Sequence, residues 1–105
     1  MKKVYIASPY TKGDMGHNIR RHILAFITLL RKGYLPFAPL LLHFVHIIFP
    51  LDYEECMKYD LEWLHVCDVM LRLDGESSGA DREEQKCEEW GIPVVYSIKE
   101  LEMLK

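Results

Sequence analysis

Apolar positions fall into two kinds of run that alternate along the chain. Short continuous runs rich in β-forming residues occur at 3–8 (KVYIAS), 34–38 (YLPFA), 69–73 (VMLRL) and 92–96 (IPVVY), each bounded by turn residues. That is the pattern of buried strands. Between them, apolar residues recur at helical spacing. Ile19, Ile23, Phe26, Ile27 and Leu30 predict a helix from Asn18 that stops at Gly33, behind Arg31 and Lys32. Tyr53, Met57, Leu61 and Leu64 predict a second helix, ending before Asp68. Ala80, Cys87 and Trp90 set the inward stripe of a third, which opens at Ser77-Ser78-Gly79 and closes at Gly91. Ser78 with Asp81 three residues on reads as its capping box. Residues 97–105 (SIKELEMLK) predict a terminal helix, and 39–51 fit neither template.

Strands and helices therefore alternate four times. Right-handed crossovers turn such an order into a parallel sheet with helices on both faces. The expected fold is α/β: a flavodoxin/Rossmann-like three-layer sandwich, residues 1–105 forming one domain. Its sheet has four strands, or five, in the order 2-1-3-4. Pro36 places the second strand at an edge, because proline cannot donate to a ladder. Ligands of such sheets bind beyond the carboxyl ends of the strands, which directs attention to residues 7–18, 38–46 and 74–83.

Composition narrows the functional classes. The net charge is −3, and the 13 basic residues are scattered, so no basic face for nucleic acid is expected. The three cysteines, Cys56, Cys67 and Cys87, form no CxxC pair and predict reduced thiols in a cytoplasmic protein. No stretch is long and apolar enough to span a membrane; the richest, Leu40 to Leu51, is broken by His43, His46 and Pro50. Its part LLLHFVHIIF (40–49) is more apolar than a small monomer easily covers, and it predicts a homodimer or higher homo-oligomer.

Chemistry concentrates in a few positions. The inward stripe of the third helix passes through Glu83, one turn from the helix start. Pattern alone leaves two readings open, a boundary residue of the acidic run DREEQKCEEW or a carboxylate facing a pocket. In the second reading the helix N-terminus favours the ionised form and desolvation opposes it, which suits a nucleophile. Asp60 stands at the edge of the second helix's stripe, either solvated or turned toward the same strand ends. Tyr5 places a ring in the core, where its hydroxyl needs a partner such as a carboxylate. His43 and His46 form an HxxH pair with no third ligand at suitable spacing, so no metal site is expected. The loop TKGDMG has neither GxGxxG nor GxxxxGK, and no cofactor is expected.

Taken in order, VYIASPYT, Asn18 and Arg21, Pro39 followed by LLH, YDLEWLHVCDVMLRLDG and SSGADREEQKCEEWGIPV resemble the nucleoside 2-deoxyribosyltransferase-like superfamily across nearly the whole chain. That superfamily includes base-exchanging transferases and 2'-deoxynucleoside 5'-monophosphate N-glycosidases. The resemblance implies a nucleoside or nucleotide substrate, with Glu83 as nucleophile at C1', Asp60 handling a proton and Tyr5 orienting Glu83. It implies substrate contacts at Ser8, Tyr10, His43, Ser77 and Gly79. Ser77 stands where the transferases carry aspartate. A hydroxyl at a helix N-terminus suits a phosphate better than a carboxylate would, so hydrolysis of monophosphates is the leading expectation. Base exchange and a non-catalytic nucleotide-sensing module are the alternatives.

Overall fold

The computed structural model describes residues 1–104. Strands β1 (Lys3–Ala7), β2 (Leu35–Phe37), β3 (Val69–Arg72) and β4 (Val94–Val95) form one sheet in the order β2-β1-β3-β4. All pairings are parallel: Val4 lies opposite Pro36 and Val69, and Met70 opposite Val94. The expected order and the edge position of Pro36 match, with four strands. The last strand is shorter than the run 92–96 suggested, two residues in place of five.

Around the sheet run α1 (Met15–Arg31), α2 (His43–Ile48), α3 (Tyr53–His65), α4 (Ser78–Trp90) and α5 (Ile98–Met103). The ambiguous segment resolves into a single 3-10 turn at Pro39–Leu42, continued by α2. Helix α1 starts three residues before Asn18, because the Asp14 carboxylate accepts from the His17 amide at 3.1 Å and caps it. The cap of α4 is Ser77 and not Ser78: its hydroxyl accepts from Ala80 N at 3.1 Å. Gly91 ends that helix in the left-handed region, at φ 71°, as expected.

Strand alternation divides the core in two. Val4, Ile6, Val69 and Leu71 face Ala25 and Leu29 of α1 and Leu101 of α5. Tyr5, Ala7 and Met70 face Leu64 of α3 and Ala80 and Cys87 of α4. Two sequence expectations shift. The buried stripe of α1 is Asn18, His22, Ala25 and Leu29, one position behind the apolar set read from the sequence; Leu30 is exposed. Trp90 is not core. It lies at the surface and stacks on His65, ring centroids 4.3 Å apart.

No helix among the described residues is long and apolar enough to cross a membrane.

Candidate functional site

The chain leaves β1, crosses to the edge strand β2, and returns to β3 on the other side of β1. The reversal opens a crevice at the carboxyl ends of β1 and β3. Three segments wall it: the loop after β1, the stretch from Pro39 through α3, and the loop that leads from β3 into α4. The resulting cleft has a volume of about 710 Å³. Gly75 sets the spacing of two of those walls. It sits at φ 117°, and a Cβ there would come within 2.7 Å of the Pro9 ring, so only glycine lets the β3–α4 loop close onto the loop after β1.

The cleft brings together Ser8, Tyr10, His43, Asp60, Ser77, Gly79 and Glu83. Tyr5 does not line it. Fully buried, Tyr5 stands behind Glu83 and donates its hydroxyl hydrogen to Glu83 Oε2. Glu83 is 6% exposed, on the inward stripe of α4 between Ala80 and Cys87. Of the two readings left open by the pattern, the buried one is therefore correct. Asp60 reaches the cleft from α3, and its Oδ1 is enclosed with no hydrogen-bond partner.

Burial pushes the Glu83 carboxyl up to about 7, against the Tyr5 hydrogen bond and the charge of Arg72, which both favour ionisation. Asp60 rises to about 8, chiefly through burial and further through the charge of Glu83. Burial, then the two carboxylates, drives Tyr5 well above its ordinary range, so it remains a neutral donor. Burial and the neighbouring Glu83 charge therefore both favour the neutral form of Asp60, because two close carboxylates resist ionising together.

Two histidine contacts flank this centre. Tyr10 Oη and His43 Nδ1 are 2.7 Å apart. His46 accepts from Leu51 N at 3.1 Å and meets Cys56 Sγ at 3.4 Å. The three cysteines are free, Cys67 and Cys87 buried and Cys56 half-buried. Among the described residues no cluster of three or more His, Cys, Asp or Glu is arranged to hold a metal ion.

Three polar residues are buried that the sequence pattern does not mark as buried. Arg72, at the end of β3, is 7% exposed, donates to Gly75 O at 3.0 Å and Asp81 Oδ1 at 3.1 Å, and lies 3.6 Å from Glu84. The Asn18 amide donates to the carbonyls of Tyr10 and Lys12, at 3.0 and 2.9 Å, and so pins the loop after β1. His22 is fully enclosed and meets Ser8 Oγ at 2.7 Å. The signal for Arg72 was a lone charge inside an apolar strand run. For Asn18 and His22 it was the spacing 18, 22, 25, 29, which is as helical as the apolar set beside it.

The chain is similar to a protein family and to solved structures. The family model described as a domain of unknown function, DUF7768, matches residues 2–97. A solved structure of a 2-deoxyribosyltransferase from the psychrotolerant bacterium Bacillus psychrosaccharolyticus superposes with a TM-score of 0.65 at 22% identity, covering 88% of this chain and 69% of that one. The sheet and its helices thus have the nucleoside 2-deoxyribosyltransferase-like fold. No curated protein sequence matches the chain.

Proposed function

The chain belongs to the DUF7768 family, and from the geometry of its cleft we propose that it breaks the N-glycosidic bond of 2'-deoxynucleoside 5'-monophosphates, with Glu83 as the nucleophile. The observation that carries this reading is a buried glutamate, hydrogen-bonded by the buried Tyr5 hydroxyl, with a second carboxyl, Asp60, lining the same cleft; burial favours the neutral form of Asp60. Two carboxyl groups with distinct protonation states are what substitution at an anomeric carbon requires.

The Tyr5 hydrogen bond holds Glu83 Oε2 and leaves Oε1 to attack C1'. As the new C–O bond forms, the C–N bond breaks and its electron pair passes to the base nitrogen. Asp60, neutral near pH 7, supplies the proton that the departing base takes up. Water then attacks C1' of the glycosyl ester, the Asp60 carboxylate accepts the water's proton, and Glu83 is released. Arg72, whose charge favours the ionised form of Glu83, stabilises the returning carboxylate. The sugar-phosphate end is assigned to Ser8, Ser77 and Gly79; Tyr10 and His43 also line the cleft. The Ala80 amide is taken by Ser77 Oγ and the Asp81 amide by Ser77 O, which leaves the amides of Ser78 and Gly79 at the start of α4 for an anion.

The structural neighbour is named a 2-deoxyribosyltransferase. Transfer to a second base instead of water is the alternative fate of the same glycosyl-enzyme.

The test is a chromatographic screen of nucleosides and nucleoside 5'-monophosphates for free base. Base released from a deoxynucleotide alone supports the proposal. Release that requires an added second base shifts the assignment to transfer, and binding without any release leaves a sensing module. A 2-fluoro-substituted deoxynucleotide should leave a sugar-phosphate adduct on the peptide containing Glu83, detected by mass. An adduct elsewhere removes Glu83 from the role.

A further inference from the structure

His22 is fully enclosed, the others of the five buried polar or charged residues described being 6–7% exposed, and it has no part in the mechanism above. It has two polar neighbours, one on each ring nitrogen. The backbone N–H of Leu40 points at Nε2, at 3.4 Å, and Ser8 Oγ lies 2.7 Å from Nδ1. A backbone amide can only donate, so Nε2 must present a lone pair. That excludes both the Nε2–H tautomer and the imidazolium, each of which would set two hydrogens against each other. The proton is therefore on Nδ1 and is donated to Ser8 Oγ. Burial, which pushes the imidazole down to about 3, agrees with a neutral ring.

The consequence falls on Ser8, which is 7% exposed and lines the cleft. A hydroxyl has one hydrogen and can otherwise only accept. With its oxygen already accepting from His22 and no further hydrogen-bond partner among the described residues, Ser8 has its hydrogen free for an acceptor in the cleft. A serine without this neighbour rotates freely and serves donors and acceptors alike.

We propose that His22 is a positioning residue that fixes Ser8 as a dedicated hydrogen-bond donor, selecting an acceptor oxygen at the sugar end of the substrate. It acts through the chain Leu40 N–H, His22, Ser8, ligand oxygen, and so ties substrate recognition to the turn at Pro39–Leu42 that carries Leu40. The ligand oxygen is a phosphoryl oxygen or the O5' of the sugar; both present the lone pair this donor requires. The substrate part of this inference rests on the reading under Proposed function. The tautomer does not.

The first measurement is a long-range 1H–15N correlation spectrum of the 15N-labelled protein at pH 7, which reads the protonation of each ring nitrogen directly. Protonated Nδ1 and bare Nε2 are expected for His22. A protonated Nε2 overturns the inference, whether or not the protein turns over nucleotides.

The second is kinetic, with 2'-deoxynucleoside 5'-monophosphates and the matching deoxynucleosides. Loss of one neutral hydrogen bond predicts that Ser8→Ala raises KM about 3- to 10-fold with kcat changed less than about 2-fold. His22→Leu should do the same, whereas His22→Asn, whose amide N–H stands near the Nδ1 position, should restore most of the loss. In the Ser8→Ala background, His22→Asn and His22→Leu should be indistinguishable in KM. An effect confined to nucleotides assigns the phosphoryl oxygen; an equal effect on both substrates assigns O5'. Unchanged KM in Ser8→Ala, or a His22→Leu effect that persists undiminished without the serine hydroxyl, overturns the positioning role. If neither substrate class releases base, the proposed function fails and the spectrum alone decides the tautomer.

Discussion

The two ends of the sheet are built from different materials. At the amino end and through the middle, Val4, Ile6, Leu29, Leu64, Val69 and Leu71 pack with no polar group among them. At the carboxyl end stand Ser8, Asn18, His22, Arg72 and Glu83, all five of the buried polar or charged residues among those described. The division follows from the βα connections. Each helix runs back along its strand, so the first half of α1 and the first half of α4 lie at the carboxyl end while their second halves cover the apolar part. One helix therefore serves both purposes: α1 buries Asn18 and His22 in its first turns and Ala25 and Leu29 later. The apolar end supplies stability that the carboxyl end uses to hold ionisable groups away from water.

The contrast is broken most sharply at Glu83. Replacing it with alanine should lower base release about 10⁴-fold, because the covalent route is lost, with little loss of stability. Glu84 is adjacent but half-buried, and its Oε2 accepts from the Tyr96 hydroxyl at 2.9 Å outside the cleft. Glu84→Ala should keep most of the activity. Comparable losses in both variants would remove the distinction that places the nucleophile.

The complementary break is Leu29→Ala at the apolar end. It opens a cavity against the sheet and should cost about 3 kcal/mol of unfolding free energy in a denaturant titration. The KM and kcat of the folded fraction should stay within about 2-fold of the parent. A large change in KM would mean that the two ends are not separable.

Much of this division was legible in the sequence. Continuous apolar runs marked β1 and β3, Pro36 marked the edge, and Glu83 stood out because a carboxylate on an inward helical stripe conflicts with its surroundings. What was not legible shares one physical reason. Asn18 and His22 are buried by their partners, the carbonyls of Tyr10 and Lys12 and the hydroxyl of Ser8, and hydrophobic periodicity has no term for a satisfied polar group. That is why the apolar set of α1 was read one position off. Trp90 failed the other way, an aromatic on the stripe that finds His65 at the surface instead of the core. The turn and short helix over 39–48 were too brief for periodicity to resolve.

Asp60 offers a break of opposite sign. Its ordinary value is 3.8 and the folded protein raises it to about 8. Between those values the unfolded chain has lost the proton while the native state keeps it. Stability contributed by this group is therefore full below pH 4 and falls as pH rises toward 8. Asp60→Asn should flatten that slope and raise stability at pH 7 by on the order of 2 kcal/mol, while base release falls at least 100-fold. In the parent, kcat/KM should rise as Glu83 ionises near 7 and fall as Asp60 loses its proton near 8, a narrow bell with its maximum between them. A plateau extending beyond pH 9 would mean that Asp60 does not act as the acid.

The smallest expected effect on stability lies outside both ends, on α2 and the residue after it. Phe44, Ile47, Ile48 and Phe49 are 56%, 66%, 72% and 71% exposed, although this is the most apolar segment of the chain. His43 and His46 of the same helix line the cleft. Helix α2 thus has one side toward the cleft and an apolar side that none of the described residues covers. A second copy of the chain covering that side is the expectation already carried by the sequence. Ile48→Lys places a charge in the middle of the exposed patch, where it meets only water in the single chain. Its unfolding free energy should therefore change by less than about 0.5 kcal/mol when measured at low concentration. In a dimer the same lysine would be desolvated without a partner, so light scattering at micromolar concentration should report the parent as a dimer and the variant as a monomer. A parent that scatters as a monomer would leave the patch exposed in solution and remove self-association from the account.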